Sequence, residues 1–161
     1  MQLRELFAVQ KQLNERIVQE HGLDPASLKN KKYLALLTEL GELANETRCF
    51  KYWSTKPPSH RDKILEEYVD CLHFILTIGL DHGFEEVEPD DSVETTDLTS
   101  HFIDLFLAVN ELVSFSSMNS FEVLLEDFFA LGRTLGFTLE DIREAYLAKN
   151  QINHQRQDNH Y

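Results

Sequence analysis

Glu39 and Glu42 stand three residues apart in the stretch ELGELANE, and Glu46 follows four later. On a helix these spacings place all three carboxylates on one side, with neighbouring Cβ atoms roughly 5–6 Å apart. Like charges that close repel, so the face must either meet water or take a counter-charge. Glu67 and Asp70 repeat the three-residue spacing downstream. Two such pairs on two helices could form a cage for a hard cation. An all-oxygen donor set suits magnesium, and no His/Cys set shows a zinc spacing. Four carboxylates have room for two or more ions, the arrangement used for displacement at phosphorus. His73 lies one turn beyond Asp70 and is assigned hydrogen bonding or packing, since magnesium rarely takes imidazole.

The two acidic segments differ in setting. Leu34, Leu37, Leu40, Gly41 and Ala44 predict an apolar stripe on the first, with Glu39, Glu42 and Glu46 opposite it. Taken alone, that arrangement is compatible with an ordinary solvated face. The second segment carries Ile64, Leu65, Tyr68, Val69, Leu72, Ile75 and Leu76 around most of its circumference and is expected to be buried on most sides. Glu67 shares its face with Phe74 and Ile78. A buried carboxylate needs a cation or hydrogen-bond donors. The metal reading is therefore preferred to the solvated one.

Helical periodicity runs through the rest of the chain. Leu3, Leu6, Val9 or Gln10, Leu13 and Ile17 mark a first helix over about 3–20, closed by Gly22-Leu23. Gly83-Phe84 and Gly136-Phe137 repeat that ending. The second helix is expected over about 31–50 and the third from Ser59 or His60 to His82. Asp97 or Thr99 would cap a fourth, a fifth covers about 120–135, and Thr138 caps a sixth that reaches about Ile152. Residues 154–161 read as a polar tail. No segment alternates with period two. The expected architecture is all-α, about six helices in a single domain over 1–161.

Composition narrows the class of protein. Acidic residues outnumber basic ones, 28 to 15, which argues against nucleic-acid binding. Seven of the acidic residues fall in the loop Glu85 to Ser100, so the global charge says little about any site. Cys49 and Cys71 sit outside any CxxC motif and read as free thiols, consistent with a reducing cytoplasm. The start is an amphipathic helix rather than a signal peptide, and the run from Cys71 to Leu80 is too short to span a bilayer. A cytoplasmic protein with no membrane partner is expected.

Near the other end, Lys149, Asn153 and Arg156 share one face if the sixth helix continues. Taken alone they read as a frayed, solvated helix end with cations complementing its dipole; alternatively they offer cations and an amide to phosphates. The sole tryptophan, Trp53, could stack on a base or anchor a core.

Several stretches together resemble one family. They are Gln10-Lys11-Gln12-Leu13-Asn14, ELGELANE followed by FKYW, EEYVDCLHFIL, and KNQINHQRQ. The chain resembles the dimeric, all-α dUTPases within the MazG-like nucleoside triphosphate pyrophosphohydrolases. The resemblance implies magnesium-dependent hydrolysis of dUTP, and of dUDP, with dUMP and pyrophosphate as the products from dUTP. It implies Glu39, Glu42, Glu67 and Asp70 as ligands to two or more magnesium ions. Glu39 or Glu42 would also position or deprotonate the attacking water, with Glu39 preferred. Gln10 and Asn14 would read the uracil edge, Trp53 would stack near the base, and Phe74 would pack under the deoxyribose. Lys149, Asn153 and Arg156 would bind phosphate oxygens, with Tyr161 closing over the nucleotide and Lys51 and Lys56 lending charge. A homodimer is implied, with residues 90–119 contributing to its interface.

Overall fold

The computed structural model describes residues 3–90, 92 and 97–160. Its helices are α1 (Leu3–His21), α2 (Lys29–Thr47), α3 (Arg61–His82), α4 (Leu98–Ser114), α5 (Met118–Thr134) and α6 (Leu139–Asp158), with one 3-10 turn at Pro25–Ser27. No strand occurs among the described residues. The fold is an all-α bundle, as the periodicity predicts.

Helix α3 is the central rod. It packs against α1, α2, α5 and α6, while α4 and α5 pair with each other and α4 also meets α2. Ile64, Tyr68, Val69, Leu72, Ile75, Leu76 and Ile78 are all buried, as expected for a helix that is apolar nearly all round. The α5 contact requires Gly132. A Cβ there would stand 2.6 Å from the Tyr68 hydroxyl, which itself donates to the Phe128 carbonyl at 2.9 Å. Tyr68 also stacks on Phe128 with ring centroids 4.2 Å apart.

Helices α1, α3 and α5 end alike. Gly22, Gly83 and Gly136 adopt positive φ, and the amide of the apolar residue after each returns to the last turn at 2.9–3.0 Å. Asp97 and Thr138 cap α4 and α6 through their side chains.

Three expectations are corrected. Helix α2 ends at Thr47 rather than near Phe50, because Arg48 takes the left-handed conformation at φ 59°. Its guanidinium holds that turn by donating to Ser54 Oγ at 2.8 Å and to the Lys56 carbonyl at 3.2 Å. Helix α6 runs on to Asp158, so most of the polar tail is helical. Arg16 on α1 fixes it there, 2.6 Å from Asp158 Oδ1 and 3.1 Å from the His154 carbonyl. Lastly, the buried stripe of α2 is Tyr33, Leu36, Leu40, Leu43, Ala44 and Thr47, about a quarter turn from the one predicted. Leu34 is 66% exposed.

Candidate active site

That rotation of α2 decides where its carboxylates point. Glu39 comes to the edge of the buried stripe, beside α3, whereas Glu42 faces outward and is exposed. Glu46 accepts a hydrogen bond from Ser59 Oγ and also binds the Ser59 amide through its carbonyl at 3.0 Å, anchoring the connector to α3. Glu39, Glu67 and Asp70 converge, each offering an oxygen within 4.8 Å of the others. Glu42 is not among the three.

Charge in this cluster is only partly compensated. Burial, then the proximity of Asp70, Glu42 and Glu67, pushes the Glu39 carboxyl up to about 7. Burial also raises Asp70, against the pull of Lys149. Two ammonium groups supply counter-charge. Lys63 lies 2.5 Å from Glu67 Oε1, and buried Lys149 lies 2.8 Å from Asp70 Oδ2 and 3.1 Å from Glu66 Oε1. A hard divalent cation fits this set: the donors are all carboxylate oxygens, mutually repelling, and already draw cations.

A cavity of about 300 Å³ opens beside the cluster. Gln10 and Asn14 of α1 line it, with Glu39 of α2, Asp70, His73, Phe74 and Thr77 of α3, and Asn153 and Arg156 of α6. Amides, carboxylates, an aromatic ring and a guanidinium thus share one pocket of nucleotide size.

The amides are held by a chain of hydrogen bonds across three helices. Gln10 is buried, and its Oε1 accepts from His73 Nδ1 at 2.6 Å and from the Tyr146 hydroxyl. Gln10 Nε2 donates to Asn14 Oδ1 at 2.9 Å, and Thr77 Oγ1 donates to the same oxygen at 3.2 Å. An amide oxygen can only accept, so His73 Nδ1 carries the proton. Burial pushes the His73 imidazole down to about 3, which keeps it neutral and leaves Nε2 a bare lone pair. That atom is buried without a partner among the described residues. The ring stacks on Tyr146 with centroids 4.1 Å apart.

Other residues singled out from the sequence stand apart from the cavity. Trp53 lies on the 48–60 connector, 64% exposed, edge-on to Tyr52 and Phe50. Lys51 sits over the Phe50 ring at 5.8 Å, and Lys56 is exposed on the same connector. Lys149 faces Asp70 rather than the cavity, and Tyr161 lies outside the described residues.

Sequence reasoning missed Lys32, Lys63, Glu66, Thr77 and Tyr146. Thr77 had a signal, since Asp70, His73 and Thr77 fall at i, i+3 and i+7 on one face of α3. Lys63 had one too, four residues before Glu67. Nothing in the spacing marks Tyr146, which reaches Gln10 from 136 residues away.

No helix among the described residues is long and apolar enough to cross a membrane. In comparisons with known proteins, a family model described as dUTPase matches residues 2–161. No curated protein matches the chain.

Proposed function

Because this chain belongs to the dUTPase family, and so is an enzyme that hydrolyses dUTP, we propose how its residues divide the work and which cofactor they use. The observation that carries the reading is the single cavity joining the amides of α1, the carboxylates of α2 and α3, and the α6 residues Asn153 and Arg156.

Glu39, Glu67 and Asp70, with Glu42 as the further ligand, would hold two or more magnesium ions. When bound, magnesium neutralises phosphate oxygens and makes water a better nucleophile at neutral pH. Glu39 lines the cavity and Glu42 does not, so Glu39 takes the proton from the attacking water at its free carboxylate oxygen. Gln10 and Asn14 meet the uracil edge, and Phe74 packs under the deoxyribose, disfavouring a 2′-hydroxyl. Arg156 and Asn153 bind phosphate oxygens, and Lys149, held beside Asp70, would add a further positive charge for them. Stacking by Trp53 requires the connector to swing over the cavity or a second copy to bring its own. Products are dUMP and pyrophosphate from dUTP, and dUMP and phosphate from dUDP.

The match over nearly the whole chain supports a single domain. Free thiols at Cys49 and Cys71 suit a reducing cytoplasm. A homodimer built on α2 and α4 is supported by Leu34, Ile103 and Leu107, which are 66%, 57% and 61% exposed. Sedimentation should give two copies for the wild type and one for Ile103→Asp/Leu107→Asp. A wild-type monomer at micromolar concentration would remove the dimer from this reading.

The reaction is tested by pyrophosphate release from dUTP, dCTP, dTTP and UTP, and phosphate release from dUDP, with magnesium or with EDTA. Strong preference for dUTP and loss of turnover in EDTA are expected. Equal rates on all four triphosphates would defeat the uracil and deoxyribose assignments, and full activity in EDTA would defeat the metal cage.

A further inference from the structure

Both amide oxygens at the base end of the cavity are already consumed by the protein. Gln10 Oε1 takes two donors, from His73 and Tyr146, and Asn14 Oδ1 takes two, from Gln10 and Thr77. The chain of bonds could in principle run the other way, with both amides flipped. Burial of Tyr146 decides between the two directions. Its phenol is fully buried and its hydroxyl bonds only to Gln10 among the described residues, so the hydroxyl proton needs the Gln10 oxygen. Flipping the amides would leave that buried proton without an acceptor and would put a second orphan hydrogen on His73 Nε2. Of the two directions, only the one with Gln10 Oε1 accepting gives the buried Tyr146 proton an acceptor.

With the direction fixed, Asn14 can offer only its Nδ2–H groups to the cavity it lines. We infer that Tyr146, His73 and Thr77 are positioning residues that set the polarity of the base-reading wall, committing Asn14 to donate and so selecting a pyrimidine with a carbonyl over one with an amino group at that edge. This rests on the assignment of the amides of Gln10 and Asn14 to the base. A uracil carbonyl accepts from Asn14 Nδ2. A cytosine amino group in its place sets donor against donor, and a site built around fixed hydrogen-bonding groups rejects such a mismatch strongly. None of the three positioning residues needs to touch the base.

The test is the ratio of kcat/KM for dUTP over dCTP, with magnesium, in the wild type and in Tyr146→Phe, Thr77→Val and Thr77→Ser. The Phe variant keeps the ring that stacks on His73 and removes only the donor to Gln10. Both it and Thr77→Val should lower the ratio by about tenfold, the worth of one hydrogen bond. The loss should lie mainly in KM, since the base is remote from the reacting phosphorus. Thr77→Ser, which restores the hydroxyl, should keep the wild-type ratio. Thermal unfolding of each variant comes first; if the buried Tyr146→Phe fails to fold, the Thr77 pair decides. An unchanged ratio in Thr77→Val, in an enzyme whose wild type prefers dUTP, would overturn the relay while leaving the activity assignment intact. A wild type without dUTP preference would instead defeat the base assignment, and the relay with it.

Discussion

Glu39→Gln should lower kcat for dUTP by about 10²–10³-fold while leaving the metal-free protein at least as stable as the wild type. The two effects share one cause. Glu39, Glu67 and Asp70 crowd their oxygens within 4.8 Å of one another, and that crowding is unfavourable until a cation enters. Replacing one carboxylate with an isosteric amide relieves the repulsion and keeps the packing, so the unfolding temperature in EDTA should hold or rise. The same change removes a ligand, so the rise in unfolding temperature on adding magnesium should shrink or vanish. Turnover and thermal unfolding, each with magnesium and with EDTA, check this. Turnover within about tenfold of the wild type would remove Glu39 from the reacting machinery. A large drop in metal-free stability would show that the side chain is there for the fold.

Lys149→Met is expected to act in the opposite sense on stability. Its ammonium group is buried between Asp70 and Glu66, and removing one partner of such a pair leaves the other charge uncompensated. Asp70 retains some contact with water, so the loss in EDTA should be about 2 kcal/mol, a fall of roughly 4–8 °C in Tm. Magnesium should recover most of that fall, because a cation held at Asp70 would supply the charge the ammonium no longer does. Turnover should drop in either case through the lost phosphate contact. An unchanged Tm in EDTA would show that the pair contributes nothing to the folded state. A fall that magnesium leaves untouched would separate Lys149 from the metal site.

The order of helices, their glycine endings and the burial of α3 were legible because periodicity and capping are local properties. Gly22, Gly83 and Gly136 each announce a left-handed turn without reference to the rest of the chain. The stripe on α2 was misread for a physical reason. Leu34 and Leu37 are apolar, but apolar residues also occupy exposed faces, and only the packing of α2 on α3 and α4 shows that Tyr33, Leu36 and Leu43 turn inward. The rotation also sets the carboxylates apart, since it brings Glu39 beside α3 and leaves Glu42 exposed. Gln10, Asn14 and Phe74, selected by resemblance, and Asn153 and Arg156, singled out first by their shared helix face, come together in one cavity. Tyr146 and Lys149 show the opposite limit. Their partners lie 136 and 79 residues away, and no local pattern carries that distance.

The cavity takes its lining from α1, α2, α3 and α6, so no single helix and no neighbouring pair makes the site alone. Gln10 belongs to α1, whereas Lys149, Asn153 and Arg156 belong to α6, which follows the other five described helices along the chain. A chain made only as far as α5 therefore holds its amides and carboxylates without the α6 side of the cavity. On the proposed assignment, nucleotide turnover would therefore report the docking of α6 rather than the formation of the earlier helices.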